Sequence, residues 1–157
     1  VAINVASPET YFGAMRNEYF GNGTQGIVGT QTYAAPADSA QLSPNAFYLG
    51  GTWDIEQEYA QAQSASSSIS YVFDASKMYI VAATTNGHPP AGGVTATVLI
   101  DGKPIPSSFE GSDVKNGIIT ITGSRLYSLY SNPVMGQHRI DIIFHQAGVQ
   151  AYTFTFG

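Results

Sequence analysis

Residues 138–145 read HRIDIIFH, and the spacing of their apolar side chains decides the fold class of this chain. Ile140, Ile142 and Phe144 stand at every second position, which is the period of a strand with one buried face. Residues 94–101, VTATVLID, show the same alternation. A chain built from such stretches is predicted to form half-buried β-strands.

The remainder of the chain from residue 47 onward has the same character, with Thr, Tyr, Val and Ile between turn signals. Asp101-Gly102 and Asn116-Gly117 tolerate positive φ at tight hairpins, whereas residues 86–93 and Asn132-Pro133 predict longer loops. This pattern predicts an all-β fold, an antiparallel β-sandwich of the jelly-roll type. The further strands predicted in this region are ISYVFDA (69–75), KMYIVAA (77–83), GIITITG (117–123), RLYSLY (125–130) and VQAYTFTF (149–156). One more strand, IVGTQTY (27–33), is predicted before residue 47.

Two segments carry weaker signals. In residues 7–20, Ser7 as an N-cap and Pro8 at the first helical position predict a helical turn at most, followed by extended chain. Residues 58–68, EYAQAQSASSS, have no hydrophobic stripe. We interpret them as a strand end that runs into a solvated loop.

The stretch GNGTQG (21–26) fits the Gly-x-Gly-x-x-Gly spacing of dinucleotide-binding loops, which need a strand before the loop and a helix after it. The residues that follow, IVGTQTYAAPADSA, are rich in β-branched residues and contain Pro36. They supply no helix N-terminus to face a pyrophosphate. We therefore interpret the stretch as a loop and expect no nucleotide cofactor.

Composition limits the partners of this chain. Its 157 residues fit one domain with a substantial core. The net charge of −5, with only six Lys plus Arg, argues against nucleic acid or an anionic membrane as a partner, and no apolar run is long enough for a membrane segment. The chain has no cysteine, so it holds no disulfide, thiol nucleophile or thiolate metal site.

The titratable residues match no catalytic or metal-binding motif. His88, His138 and His145 include no HExxH pair, and the last two are seven positions apart in one strand, which places them on opposite faces. Spacing alone leaves a Ser–His–Asp triad open, although no Gly-x-Ser-x-Gly elbow is present. Glu56 and Glu58 are expected to share one strand face, as a carboxylate pair for glycoside hydrolysis or as solvated edge residues. We favour surface histidines, solvated carboxylates, and neither metal nor cofactor.

Aromatic residues are plentiful, with 10 Tyr, 8 Phe and one Trp. Sugar-binding sandwiches stack rings on such side chains, but core packing is the favoured interpretation for Trp53. For Arg125, the alternative to ligand binding is an ion pair with Glu9 or Glu58. The candidates are Tyr48, Trp53, Tyr59, Tyr127 and Tyr130, with Arg125 and Glu58.

Several motifs occur together in a familiar order: SPETYFG (7–13), GGTWDIEQEYA (50–60), VLIDGKP (98–104), EGSDV (110–114), SRLYSLY (124–130) and GVQAYTFTFG (148–157). The chain thereby resembles the C-terminal domain of DipZ-type thiol–disulfide interchange proteins, which follows a thioredoxin-like domain. The resemblance implies a carbohydrate-binding-like β-sandwich in the bacterial periplasm or another extracytoplasmic space. It also implies that residues 1–6 are a linker remnant and residues 7–157 a single domain.

The function expected from this resemblance is a non-catalytic module that binds a glycan or cell-envelope ligand. Trp53, Glu58, Arg125 and Tyr127 are the candidate ligand-binding residues, because they combine aromatic and polar character and lie in the family motifs. Any redox activity would belong to the thioredoxin-like domain, since this chain has no cysteine. The alternative is a structural or protein-interaction module that docks against that thioredoxin-like domain.

Overall fold

The computed structural model describes residues 6–85 and 92–157, and its strands pair in the order β1-β11-β4-β3-β5-β10-β6-β9-β8. β2 pairs with β3, β7 pairs with β6, and all pairings between named strands are antiparallel. The predicted all-β antiparallel sandwich is confirmed. The strands are β1 (Thr10–Tyr11), β2 (Gly29–Tyr33), β3 (Phe47–Ile55), β4 (Ala60–Ala62), β5 (Ser68–Thr84), β6 (Val94–Ile100), β7 (Lys103–Pro104), β8 (Val114–Lys115), β9 (Ile118–Ile121), β10 (Arg125–Phe144) and β11 (Val149–Phe156).

Two long strands, β5 and β10, hold the sandwich together. β5 pairs with β3 along its first part and with β11 along its second part, while β10 runs beside it through both. The predicted break between residues 75 and 77 is therefore wrong, and so is the predicted loop at Asn132-Pro133. That dipeptide lies in an irregular part of β10, where the register shifts between Ser131 and Gly136. Pro133 has no N–H to donate, which fits an irregularity better than a regular ladder.

The core contains the side chains that the two-residue period predicts. Ile140, Ile142 and Phe144 are buried, whereas Asp141 and Ile143 between them are partly exposed. Aromatic rings are the largest side chains of the core, and burial of their large apolar area stabilises the fold. The largest fully buried side chains are Trp53, Tyr71, Tyr127, Tyr130, Phe12, Phe47, Phe73, Phe144 and Phe154.

Both short hairpin turns are confirmed. Asp101 and Gly102 have φ angles of 53° and 81°, and Asn116 and Gly117 have φ angles of 54° and 75°. Two consecutive positive φ angles define the turn whose twist matches that of the flanking strands. Most of the predicted 86–93 loop, including His88, lies outside the described residues.

The N-terminal segment differs from the prediction. Ser7 caps no helix; its hydroxyl instead bonds to Asn45 Oδ1 at 2.6 Å, and the Asp74 amide donates to the Ser7 hydroxyl at 2.8 Å. Thr10 and Phe12 are buried, and the two residues of β1, Thr10 and Tyr11, pair with β11. A two-residue strand is too short for its period to be recognised in the sequence.

Residues 58–68 also contain more structure than expected. Ala60 and Ala62 form the buried positions of β4, and Ser67 is fully buried. Alanine is too small and too common to mark a hydrophobic stripe, so the sequence does not reveal the buried face of β4. The GNGTQG stretch is a series of bends and turns that leads into β2, as expected. Its first two glycines allow close packing, since a Cβ at Gly21 would lie 2.3 Å from the Tyr48 ring.

Candidate functional site

A cleft of about 230 Å³ lies where β1, the bulge of β11 and the turn between β3 and β4 meet. Its lining combines aromatic faces with a cation and an anion on exposed side chains. This mixture of an apolar floor and a few polar groups is typical of a small-ligand site. The lining residues are Tyr11, Gly13, Met15, Arg16, Gln57, Glu58, Tyr152 and Thr153.

Gly13 brings the two sides of the cleft together. A Cβ at this position would lie 2.3 Å from the carbonyl carbon of Glu58 and 2.5 Å from the Gln57 oxygen, which is too close for any side chain. Next to it, the Ala14 amide donates to the Glu56 carbonyl at 2.8 Å and the Met15 amide to the Gln57 carbonyl at 2.9 Å. The absence of a side chain therefore lets the N-terminal segment dock directly on the β3–β4 turn.

A β-bulge positions Tyr152. Ala151 pairs with Ala82 and Thr153 with Val81, so Tyr152 is an extra residue with no partner on β5. Bulges turn a side chain away from the regular alternation of a strand and often lie beside functional sites. The Tyr152 ring packs against Tyr59 with centroids 5.3 Å apart. One face of the cleft is thus an aromatic surface made by an irregularity in β11.

Charges of opposite sign lie at separate places in this cleft. The guanidinium group of Arg16 lies over the Tyr11 ring, and its carbon is 3.8 Å from the ring centroid. Burial raises the pKa of the Tyr152 hydroxyl, and the negative charge of Glu58 raises it further. Glu58 and Arg16 both line the cleft, and they form no ion pair with each other. The cleft can contact a ligand ring with its tyrosines and polar groups of the ligand with these two charged side chains.

Of the four candidate residues from the sequence, only Glu58 lines the cleft. Trp53 is 0% exposed; its indole N–H donates to the Gly50 carbonyl at 2.8 Å and its ring meets Phe144 edge-on. This is the core packing that the sequence favours for Trp53. A fully buried ring presents no face on which a ligand could stack.

Tyr127 and Arg125 lie together at the start of β10, outside the cleft. Tyr127 is fully buried, and its hydroxyl accepts from the amides of Thr122 and Gly123 and donates to the Gly123 carbonyl at 2.6 Å. The Arg125 guanidinium covers the ring, with its carbon 3.9 Å from the centroid. These contacts describe a structural tyrosine that holds a turn. Ligand binding by either residue stays a prediction.

Arg125 has an ion-pair partner, but not one of those expected. Its guanidinium binds Asp113 at 2.7 Å, instead of Glu9 or Glu58. The hydrogen bond from Arg125 and a second one from the Ser128 amide lower the pKa of Asp113 despite its partial burial. The partner lies in the EGSDV motif, and sequence distance alone could not have selected it.

The histidines occupy opposite faces, as predicted. His138 Nδ1 bonds to Asp101 Oδ2 at 2.7 Å and its ring lies near Phe73 and Tyr130, while His145 is exposed with Thr hydroxyls on both ring nitrogens. A His–Asp hydrogen bond of this kind is one of the two contacts that a Ser–His–Asp triad requires. In residues 6–85 and 92–157 no serine hydroxyl bonds to the other nitrogen of His138.

The carboxylates of Glu56 and Glu58 are arranged differently from the expectation. Glu56 and Glu58 do not share a strand face, because β3 ends at Ile55 and both follow it in the turn. Glu56 contacts Asp54, and this hydrogen bond together with the like charge raises the pKa of Glu56. Among the described residues no group of three His, Asp or Glu side chains is arranged to hold a metal ion. In the same part of the chain no helix is long and apolar enough to cross a membrane.

The fold and the cleft define this chain as an antiparallel β-sandwich module with an aromatic surface site. The chain belongs to the family described as the thioredoxin-like C-terminal domain, which matches residues 7–157. The resemblance inferred from the sequence motifs is thereby confirmed at the level of this family. The chain is an accessory domain of the thioredoxin-like proteins, and its own sequence has no cysteine.

Solved structures with the same fold include two carbohydrate esterases. A family two carbohydrate esterase from Cellvibrio japonicus matches with a TM-score of 0.55 and 17% identity over 83% of this chain and 33% of that protein. An active-site mutant of a family two carbohydrate esterase from Clostridium thermocellum matches with a TM-score of 0.54 and 16% identity over 73% of this chain and 32% of that protein. Comparison with curated proteins gives no match. The chain spans about a third of the length of these esterases, and at such identities the likeness shows the fold alone.

The main site residues that sequence reasoning missed are Tyr11, Arg16 and Tyr152. Tyr11 and Gly13 lie in the SPETYFG motif and Tyr152 in the closing GVQAYTFTFG motif, so the motifs contained the signal. The sequence does not show that the two motifs meet, because this depends on the pairing of β1 with β11.

Proposed function

We propose that this domain is a non-catalytic module that binds a saccharide in the cleft between Tyr11 and Tyr152. The observation that carries the proposal is the arrangement of two tyrosine rings, the Arg16 cation and the Glu58 anion around one opening. Sugar rings have apolar faces that pack on aromatic side chains and hydroxyl groups that bond to charged or amide groups. Arg16 and Gln57 supply donors and Glu58 supplies acceptors.

The carboxylate content of the cleft supports binding without hydrolysis. Glycoside hydrolysis uses two carboxyl groups about 5–10 Å apart on either side of the bond. The described lining of this cleft contains a single carboxylate, Glu58. The contact between Asp54 and Glu56 lies outside that lining and brings the two groups closer than this spacing. A binding role accounts for the cleft without a second acid.

The family membership suggests how such binding serves the whole protein. In our proposal the module lies in the periplasm or another extracytoplasmic compartment, where cell-envelope glycans are present. Holding a glycan would keep an attached thioredoxin-like domain near substrates at the envelope. The fold likeness to carbohydrate esterases is in keeping with a carbohydrate ligand, since those proteins are named for acting on carbohydrates.

Isothermal titration with neutral glucan oligosaccharides and cell-wall-derived saccharides tests the proposal. Tyr152→Ala is expected to weaken binding about tenfold, since stacked or edge contacts of an aromatic ring contribute on the order of 1 kcal/mol beyond its buried area. Tyr79→Ala is the matched control, because Tyr79 is a partly buried tyrosine of β5 that does not line the cleft. Equal binding by wild type and Tyr152→Ala would refute this location, and no binding of any saccharide would refute the function.

A second candidate is a module that docks on the thioredoxin-like domain. One observation favours it: four large apolar side chains between residues 15 and 28 are exposed, namely Met15 (64%), Tyr19 (37%), Ile27 (59%) and Val28 (49%). Exposed apolar groups in one segment are a feature of protein contacts. Adding this domain in trans to the isolated thioredoxin-like domain, without sugar, separates the two candidates. Docking predicts an altered reduction rate that Ile27→Ser abolishes.

A further inference from the structure

We propose that Arg16 makes the cleft selective for saccharides that carry a carboxylate, such as uronic acids. This inference rests on the proposed saccharide-binding function and names its ligand class. It follows from three features of the cleft: the stacking of the Arg16 guanidinium on Tyr11, the absence of an ion-pair partner for it among residues 6–85 and 92–157, and the presence of Glu58 in the same lining.

The first feature is the orientation of Arg16. Its guanidinium covers the Tyr11 ring at 3.8 Å, so the ring supports one face of the planar group. The N–H groups of a guanidinium lie in its plane and point outward from its edges, so they are not directed into the ring beneath its face. A planar carboxylate can accept two parallel hydrogen bonds from that edge, which is the strongest geometry available to this side chain. The stacked arrangement also reduces the conformational freedom that binding must remove.

The second feature is that Arg16 has no carboxylate partner among the residues that the structure describes, unlike the other two arginines. Arg125 binds Asp113 at 2.7 Å, and Arg139 binds Asp141 at 3.1 Å and the carbonyls of Pro36 and Ala37. Within the described chain Arg16 forms no ion pair. Its charge is thus available to a ligand.

The third feature is the distribution of charge along the cleft. Glu58 and Arg16 both line the cleft without forming an ion pair with each other, and the Arg16 guanidinium lies over Tyr11. An acidic sugar carries one carboxylate and several hydroxyl groups, so its carboxylate matches Arg16 and its hydroxyl donors match Glu58. A neutral sugar would cover the Arg16 cation without supplying an anion, and removing a charge from water without a partner is costly. The cleft therefore favours the acidic ligand.

The test compares trigalacturonic acid with its fully methylated ester, which has the same sugar rings and hydroxyl groups but no carboxylate charge, by titration calorimetry at low and at high salt. The wild type is expected to bind the acid about tenfold more tightly than the ester at low salt, and less selectively at high salt, because ions screen an exposed charge pair. Arg16→Gln is expected to remove the preference, because it weakens binding of the acid, which loses its cationic partner, more than binding of the ester.

Lys115→Gln is the control, because it removes the same charge from an exposed side chain of β8 outside the cleft. It should retain the full preference for the acid. Equal affinity of the wild type for both trisaccharides, or an unchanged preference in Arg16→Gln, overturns the inference while the proposed function stands. If the wild type binds neither trisaccharide, the inference is refuted, and the neutral oligosaccharides of the preceding experiment decide separately whether the proposed function falls.

Discussion

Replacing Gly13 with alanine tests whether close backbone contact builds the cleft. The new Cβ would lie 2.3 Å from the Glu58 carbonyl carbon, and backbone cannot give way as a flexible side chain can. The N-terminal segment must then move away from the β3–β4 turn. This movement breaks the hydrogen bonds from the Ala14 and Met15 amides to the Glu56 and Gln57 carbonyls.

The expected cost follows from these contacts. Overpacking costs about 1–3 kcal/mol, and each lost hydrogen bond costs about 0.5–1.5 kcal/mol. The overpacking and the two lost hydrogen bonds together are expected to lower the free energy of unfolding by about 2–6 kcal/mol. At about 2–4 °C per kcal/mol for a chain of this length, the Tm falls by at least about 4 °C. Saccharide binding in the cleft should weaken as well, since both walls shift.

The assay is thermal unfolding followed by circular dichroism, with Gly123→Ala as the matched control. A Cβ at Gly123 meets no atom within 4 Å, and this glycine does not have a positive φ. The control should therefore leave the Tm nearly unchanged or raise it slightly, because alanine restricts the unfolded chain. Equal Tm values for Gly13→Ala and Gly123→Ala would refute the reasoning, since the close approach would then carry no energetic weight.

Three further results are expected. Trp53→Ala should lower the free energy of unfolding by about 3–5 kcal/mol, as for other buried aromatic residues; a loss below about 1 kcal/mol in urea titration would contradict a core position. Asp113 has a lowered pKa in the folded state, so its contribution to stability is present above pH 3.8, its ordinary pKa, and is lost as the pH falls through the lowered pKa. Asp113→Asn should therefore reduce the loss of stability at acid pH in a plot of the free energy of unfolding against pH. An unchanged plot would count against the Arg125 contact. Burial raises the pKa of Tyr71 to about 12 from its ordinary 10.0, so stability should fall as the pH rises from about 10 to 12, and Tyr71→Phe should reduce that fall in alkaline unfolding measurements.

The agreement between sequence and structure is best where the signal is local. The alternation of Ile140, Ile142 and Phe144 correctly predicted a strand and its buried face. Asp101-Gly102 correctly predicted a hairpin, because positive φ angles are a property of the residues themselves. In contrast, Asn132-Pro133 was interpreted as a loop, because a proline irregularity within a long strand and a true loop have the same local composition.

The candidate site was predicted less well, and the reason is again physical. Trp53 and Tyr127 were selected for their chemistry, but burial depends on which face of a strand meets the other layer. Glu58 was placed correctly on the surface, although on a turn and not on a strand. Tyr11 and Tyr152 were present in the quoted motifs, yet nothing in either motif indicates contact with the other.

The sequence by itself determined the class of fold, the hairpin turns, the absence of thiol chemistry and the family, because periodicity, turn residues, composition and motifs are all written along the chain. Only the tertiary structure decided where the cleft lies and which side chains line it. The cleft joins segments more than 130 residues apart, from Tyr11 to Tyr152, and it depends on one extra residue in the register of β11 and on the bare backbone of Gly13. Such a site arises from strand pairing and close packing, which are properties of the folded chain and not of any single stretch.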